Sequence, residues 1–288
     1  MIEVLAAGPQ SLIQDLGRPG WANIGVGPGG AFDRGALQLA NRLVGNREST
    51  ACIETLGGGL RLQFHEPTVI CVTGAAGPIT IINNGTSREM ARNAPITVGP
   101  SDVLTIGAPT VGLRSYIGIR HGLRIEHVLG STSTDTLAAI GPSALKAGQT
   151  FSLANEAVAH PPLDLAVPRS LTGPLSVISG PRWDWFTSES QAAFLRQTWE
   201  VSPISSRIGI RLTGIPLERT EPSRELASEP MVTGAIQAPP DGLPVILGPD
   251  RPTTGGYPVI AVVVDAHLDR LAQLVPGTSV TFRAVELG

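Results

Sequence analysis

Residues 249–258 read PDRPTTGGYP and lead straight into the apolar run VIAVVV at 259–264. An acid beside a base (Asp250, Arg251), two hydroxyls (Thr253, Thr254), two glycines (Gly255, Gly256) and an aromatic (Tyr257) share this one short stretch. A polar loop anchored by a buried strand presents its donors at a fixed place. Arginine offers a planar fork that matches a carboxylate or phosphate, and glycines let a ligand approach the backbone. Comparable Arg- or Asp-bearing loops recur at QDLGRPG (14–20, with Asp15 and Arg18), PGGAFDR (28–34, with Asp33 and Arg34) and SPISSRIGIRL (202–212, with Arg207). The stretch GAIQAPPDGLPVIL at 234–247 adds Gln237, whose amide can read another amide. The shared chemistry is recognition of an anion, or of charge building on oxygen.

Other patterns point elsewhere and are weaker. GVGPGG at 25–30 fits G-x-G-x-x-G, but no apolar strand leads into it and Pro28 removes an amide that a dinucleotide loop would offer to phosphate. Ser143 and Lys146 match S-x-x-K, yet Lys146 stands beside Gly148 at the entry to a strand, where no helix aims both side chains at one point. The five histidines are scattered, and the closest pair, His121 and His127, lacks a third ligand, so no metal site is expected. The turn at 14–20 has a plain structural reading as a surface loop held by an Asp15–Arg18 ion pair.

Composition narrows the classes. In 288 residues the net charge is −3 and no basic run reaches five residues, which argues against nucleic acid as a partner. Only Lys146 is a lysine among 21 Lys and Arg residues, which excludes a Walker loop, a Schiff base at a second lysine and a biotin-carrier role. Cys52 and Cys71 lie in strand-like stretches and read as small buried hydrophobes. With no apolar run of membrane-spanning length and no basic-then-apolar N-terminus, the expectation is a cytoplasmic protein without membrane contact.

The positioning elements are mostly strands. Short Val/Ile/Leu/Thr runs separated by Gly and Pro predict a mainly β sandwich or barrel. ITIINNGTSREM at 79–90 carries an Asn-Gly hairpin signal. Helices are predicted at 32–44, with Asp33 in the first turn and Gly45 as the stop, at 267–274, and after Thr187 or Ser188; the first two are expected to plug barrel ends. A glycine turn entering an alternating strand recurs at 98–106, 147–153 and 276–282, which suggests a duplicated β unit. The expected organisation is a domain at 1–130, a connecting segment at 131–174 and a second domain at 175–288.

In order and spacing, SLIQDLGRPGWANIGV, FDRGALQLANRLVGN, CIETLGGGLRLQF, VTGA, GAIQAPPDG and TTGGYPVIAVVV resemble the allophanate hydrolase subunit 2 family, also described as biotin-dependent carboxyltransferases, which includes the C-type subunit of bacterial ATP-dependent 5-oxoprolinase. The likeness spans nearly the whole chain. It implies two cyclophilin-like β-barrel domains with a few short helices. It further implies a subunit of a heteromeric, ATP-dependent amide or lactam hydrolase. Its expected partners are a subunit-1-like (sporulation-inhibitor-like) protein and a lactam-utilisation-like third subunit, with ATP used by the complex. One alternative is the carboxyltransferase part of a biotin-dependent urea or amide carboxylase; another is a regulatory module that antagonises a kinase-inhibitor-like partner. Under this resemblance Asp250, Arg251 and Thr254 are the expected catalytic residues, with Asp250 orienting Arg251. Gln237, Thr253, Gly255, Gly256 and Tyr257 are expected to bind substrate, with Arg207, Asp15, Arg18, Asp33 and Arg34 as further binding residues. One departure bears on chemistry: GSTSTDT at 130–136 has Thr132 where relatives carry arginine, which weakens anion binding expected at that loop.

Overall fold

The computed structural model describes residues 1–161 and 172–286. The chain forms two compact units, each assembled from separate stretches of sequence. Unit 1 comprises Met1–Arg18, Gly29–Asp135 and Ala139–Ser170; unit 2 comprises Pro19–Pro28, Thr136–Ala138 and Leu171–Gly288.

Unit 1 holds strands β1 (Ile2–Ala7), β2 (Gln10–Gln14), β3 (Cys52–Leu56), β4 (Leu60–Phe64), β5 (Thr68–Ala76), β6 (Ile79–Asn83), β7 (Thr86–Glu89), β8 (Ile96–Val98), β9 (Val103–Ile106), β10 (Val111–Ile119) and β11 (Thr150–Phe151). They form one sheet in the order β11-β1-β4-β9-β6-β7 and another in the order β2-β3-β10-β5-β8. Their inner faces share a core that includes Val4, Leu62, Leu104, Ile53, Val72 and Ile117. The predicted hairpin joins β6 to β7 through Asn84 (φ 47°) and Gly85 (φ 80°), both left-handed as such a turn requires.

Side-chain alternation decides where helix α1 (Arg34–Val44) goes. Ile53, Ile70, Val72 and Ile117 point into the shared core, while their neighbours Cys52, Cys71 and Tyr116 pack against α1. The helix therefore covers the other face of the second sheet; it does not plug a barrel end as expected. Its apolar residues repeat along one stripe, and that stripe needs a broad sheet face to bury it. Gly118 permits the contact, since a Cβ there would lie 2.9 Å from the Ala40 backbone. Asp33 is the N-cap, accepting from the Ala36 N–H at 2.9 Å, and Gly45 closes the helix at φ 74°.

Unit 2 contains β12 (Leu175–Ser179), β13 (Trp199–Val201), β14 (Gly209–Thr213), β15 (Glu229–Pro230), β16 (Ala235–Gln237), β17 (Val245–Leu247), β18 (Thr254–Gly255), β19 (Val259–Val263), β20 (Ser279–Val280) and β21 (Phe282–Ala284). Helices α2 (Ser188–Arg196) and α3 (Asp265–Leu271) complete it, α2 being capped by the Thr187 side chain. Eight strands run in the order β20-β13-β14-β17-β16-β19-β12-β21. The two edges, β20 and β21, are separated in sequence only by Thr281, so the sheet curls until one extended run serves both ends. The result is a nearly closed barrel with few free edges. Its aromatic packing centres on Phe194, stacked on Phe282 at 4.6 Å.

The stretch expected to connect the domains is built into the units where it is described. Residues 131–133 bond to Asp15 in the turn after β2, Thr134 bonds to Ile13 and Gln14 of β2, β11 pairs with β1, and 136–138 belong to unit 2. The rest of it, at 162–171, lies outside the described residues. No helix among the described residues is long and apolar enough to cross a membrane.

Candidate functional site

In unit 2 the loop 248–258 connects β17 to β19 and contributes β18, which pairs with β15 so that Gly255 faces Glu229. Arg182 forms an ion pair with Glu229. Arg182 also lies over the Trp185 ring at 5.6 Å, and Arg224 lies over the same ring at 4.0 Å. An arginine-aromatic layer thus backs the loop, and the sequence reading missed it because its members come from three separate stretches.

Asp250 is fully buried, and its carboxylate does not orient Arg251. Arg207 forks onto it instead, with Nε to Oδ2 at 2.9 Å and Nη2 to Oδ1 at 2.8 Å. The Thr136 N–H and hydroxyl add 2.9 and 2.7 Å contacts to Oδ2. The backbone turns here, the Arg251 N–H reaching the Gly248 carbonyl at 3.4 Å, and the buried Asp250 and the half-buried Arg251 make no side-chain bond to each other. With both oxygens engaged, Asp250 anchors the loop.

Arg251 is the loop's unspent group. Its Nη1 donates to the Pro252 carbonyl at 3.1 Å, while its Nε is buried with no hydrogen-bond partner. Burial lowers its pKa from the usual guanidinium value, because a cation partly withdrawn from water is disfavoured. Thr253 is half-buried, and Thr254, Gly256 and Tyr257 are exposed. Gln237 is buried and donates to the Tyr257 carbonyl at 3.1 Å. A Cβ at Gly255 would lie 2.7 Å from Gln237 Nε2, so that glycine is needed for the amide to sit there. Arg251, Thr253, Thr254 and Tyr257 thus lie on one loop, Gln237 bonds to its Tyr257 carbonyl, and Arg207 holds it through Asp250.

In unit 1 the expected Asp15–Arg18 surface pair is replaced by two buried side chains with different partners. Asp15 accepts from the Gly17 N–H (2.7 Å), Ser131 Oγ (2.6 Å), Ser133 Oγ (2.5 Å), Thr132 N–H (2.7 Å) and Thr132 Oγ1 (3.0 Å). The hydroxyl-rich run STST at 131–134 folds around that carboxylate, and Thr132 uses both its donors there. Arg18 donates to the Val128 carbonyl at 3.2 Å and to the Ser133 carbonyl, and its Nη1 has no partner. Asp33 is spent as the cap of α1, and Arg34 is half-buried in the first turn. Beside that cap, Tyr116 donates to Glu54 at 2.7 Å and accepts from the Asp33 N–H at 2.7 Å. Burial first, then the Glu54 charge, push the tyrosine hydroxyl well above its ordinary value. This network holds α1 and presents no free acid or base. Among the described residues no group of three or more His, Cys, Asp or Glu is placed to hold a metal ion.

A family model described as "Carboxyltransferase domain, subdomain A and B" matches residues 24–284. The chain belongs to this carboxyltransferase family. It is 34% identical over 290 residues to the C-type 5-oxoprolinase subunit of Haemophilus influenzae, covering 100% of this chain and 92% of that protein. It is 35% identical over 307 residues to the urea amidolyase of Saccharomyces cerevisiae, where it covers 98% of this chain but 16% of the other. The crystal structure of the K. lactis urea amidolyase matches with a TM-score of 0.91 at 31% identity, over 99% of this chain and 19% of that one. These relatives are one named component of an enzyme and a segment of a much longer enzyme, which agrees with the family resemblance carried by the ordered motifs.

Proposed function

We propose that the chain is the C-type subunit of an ATP-dependent 5-oxoprolinase, acting on a lactam together with a subunit-1-like partner and a lactam-utilisation-like third subunit. The observation that carries this reading is the end-to-end correspondence with the C-type 5-oxoprolinase subunit of Haemophilus influenzae, 92% of which this chain covers. Opening a lactam places negative charge on the carbonyl oxygen in the transition state, and donors fixed in advance at that oxygen supply rate. The half-buried Arg251 guanidinium, whose one side-chain bond runs from Nη1 to the Pro252 carbonyl, and the exposed Thr254 hydroxyl are the donors we assign to that task. Gln237 donates through Nε2 to Tyr257, which leaves its Oε1 to accept from the lactam N–H. Asp250 and Arg207 hold the loop from beneath. With no free base among these residues, activation of ATP and water falls to the partners, and the chain is inactive alone.

The test is 5-oxoproline-dependent ATP hydrolysis by the co-purified complex. Arg251→Ala should lower kcat by roughly 100-fold or more, the usual effect of removing one such donor. Unchanged turnover by a folded Arg251→Ala complex removes the loop from the mechanism. A second reading, carboxyl transfer to urea or a related amide, rests on the 0.91 TM-score match to urea amidolyase. A complex that consumes ATP with urea and ignores 5-oxoproline would establish that reading in place of the first.

A further inference from the structure

Unit 1 contains a cleft of about 500 Å³ that shares no residue with the 248–258 loop, and clefts of roughly 300–1,000 Å³ are the size that holds small molecules. Its walls come from the turn after β2 (Asp15 to Gly17), the segment after α1 (Arg47, Ser49), the turn at His127 and Gly130, and the strap Asn155 to Val158.

The strap is fixed in place. Glu156 N–H donates to the His121 carbonyl at 3.0 Å, and the Val158 and Ala159 N–H groups donate to the Gly45 carbonyl at 2.8 and 3.1 Å. Arg120 Nη1 ties the Ala159 carbonyl (2.7 Å) to the Val44 carbonyl at the end of α1 (2.8 Å). Gly45 is required for this approach, since a Cβ there would lie 2.3 Å from the Ala159 oxygen. These bonds fix that wall of the cleft.

The charges lining it divide into spent and unspent. Asp15 is spent on its five donors. The exposed Arg47 and His127 and the half-buried Glu156 also line the cleft, and their side chains make no hydrogen bond or ion pair with another described residue. A simple anion would meet the Glu156 carboxylate, and a simple cation would meet the Arg47 guanidinium, so neither is matched by the whole lining. A ligand carrying both signs is. Leu16 and Val158 add apolar surface for a carbon skeleton. We propose that this cleft binds a small zwitterion, an α-amino acid, with its carboxylate on Arg47 and His127 and its ammonium on Glu156. This goes beyond the lactam reading and does not depend on it.

The experiment is isothermal titration of the purified full chain, without partners or ATP, using L-glutamine and L-leucine as separate probes and their N-acetyl derivatives as controls. At least one amino acid should bind saturably at one site per chain. Arg47→Ala and Glu156→Gln should each weaken that binding about tenfold or more, the usual worth of a charge-assisted contact. The N-acetyl derivative, which lacks the ammonium, should bind the wild type as weakly as the parent amino acid binds Glu156→Gln. The proposal is overturned if neither amino acid binds into the tens of millimolar, if acetylation makes no difference, or if both variants bind like wild type. Because Arg47 and Glu156 make no side-chain bonds to described residues, circular dichroism and the melting transition should be unaltered in both variants. The Arg251 assay reads a different loop, so failure of either test leaves the other standing.

Discussion

Arg207→Ala should destabilise unit 2 far more than a typical loop substitution. The Arg207 and Asp250 side chains are only 1% and 0% exposed, and two of the four donors on the Asp250 carboxylate come from Arg207. Removing them strands a buried charge with Thr136 as its remaining partner. Breaking a buried pair from one side costs roughly 3–5 kcal/mol. For domains of about 60–250 residues each kcal/mol lowers the midpoint by roughly 2–8 °C, so the loss should be at least about 6 °C. Differential scanning calorimetry measures the shift, and urea titration gives the free energy independently. Replacing both partners, Arg207→Met with Asp250→Leu, should recover much of the loss because no charge is then left buried. The reasoning is refuted if the single variant stays within about 1 kcal/mol of wild type, or if the double variant is as destabilised as the two singles added together.

Burial raises the Cys71 thiol to about 12 and the Cys52 thiol higher still, so both should resist a thiol reagent at pH 8 in the folded protein and react after denaturation. Stoichiometric labelling of the native chain within minutes would contradict this. His267 Nδ1 accepts from the Ser176 N–H at 2.8 Å, and burial first, then Arg270 and Arg283, lower its pKa from 6.5. The unfolded imidazole therefore takes up a proton before the folded one, so its contribution is complete above 6.5 and lost as pH falls through the lowered value. A melting temperature that declines below pH 6.5 and is flattened in His267→Asn is the expected result; an NMR titration of His267 at or above 6.5 would contradict it. Gly118→Ala drives a Cβ to 2.9 Å from the Ala40 backbone, and thermal melting should show a loss of roughly 1–3 kcal/mol as α1 is pushed off its sheet.

Much of the architecture was legible along the chain. The Asn84-Gly85 hairpin, the Gly45 stop and the helix start at Thr187 or Ser188 each depend on residues within about four positions of one another, a range at which side-chain type alone constrains the backbone, whereas Asp33, expected inside the first turn, is the cap before it. The direction in which α1 packs was not legible, because Cys52, Cys71 and Tyr116 look like core residues until the two faces of their sheet are distinguished.

The candidate site shows the same division more sharply. Residue types along 249–258 marked a donor-rich loop, and the tertiary structure decided which of its charges remain available. Asp250 found Arg207, 43 positions away, in preference to its neighbour Arg251, and that choice leaves the Arg251 Nε unspent. Asp15 likewise passed over Arg18, three positions on, for hydroxyls 116 to 118 residues distant. Local sequence settles backbone conformation because those forces are short-ranged. The partner of a buried charge is settled by which distant donors the fold carries into the same dry space, where each carboxylate must be satisfied or stay outside.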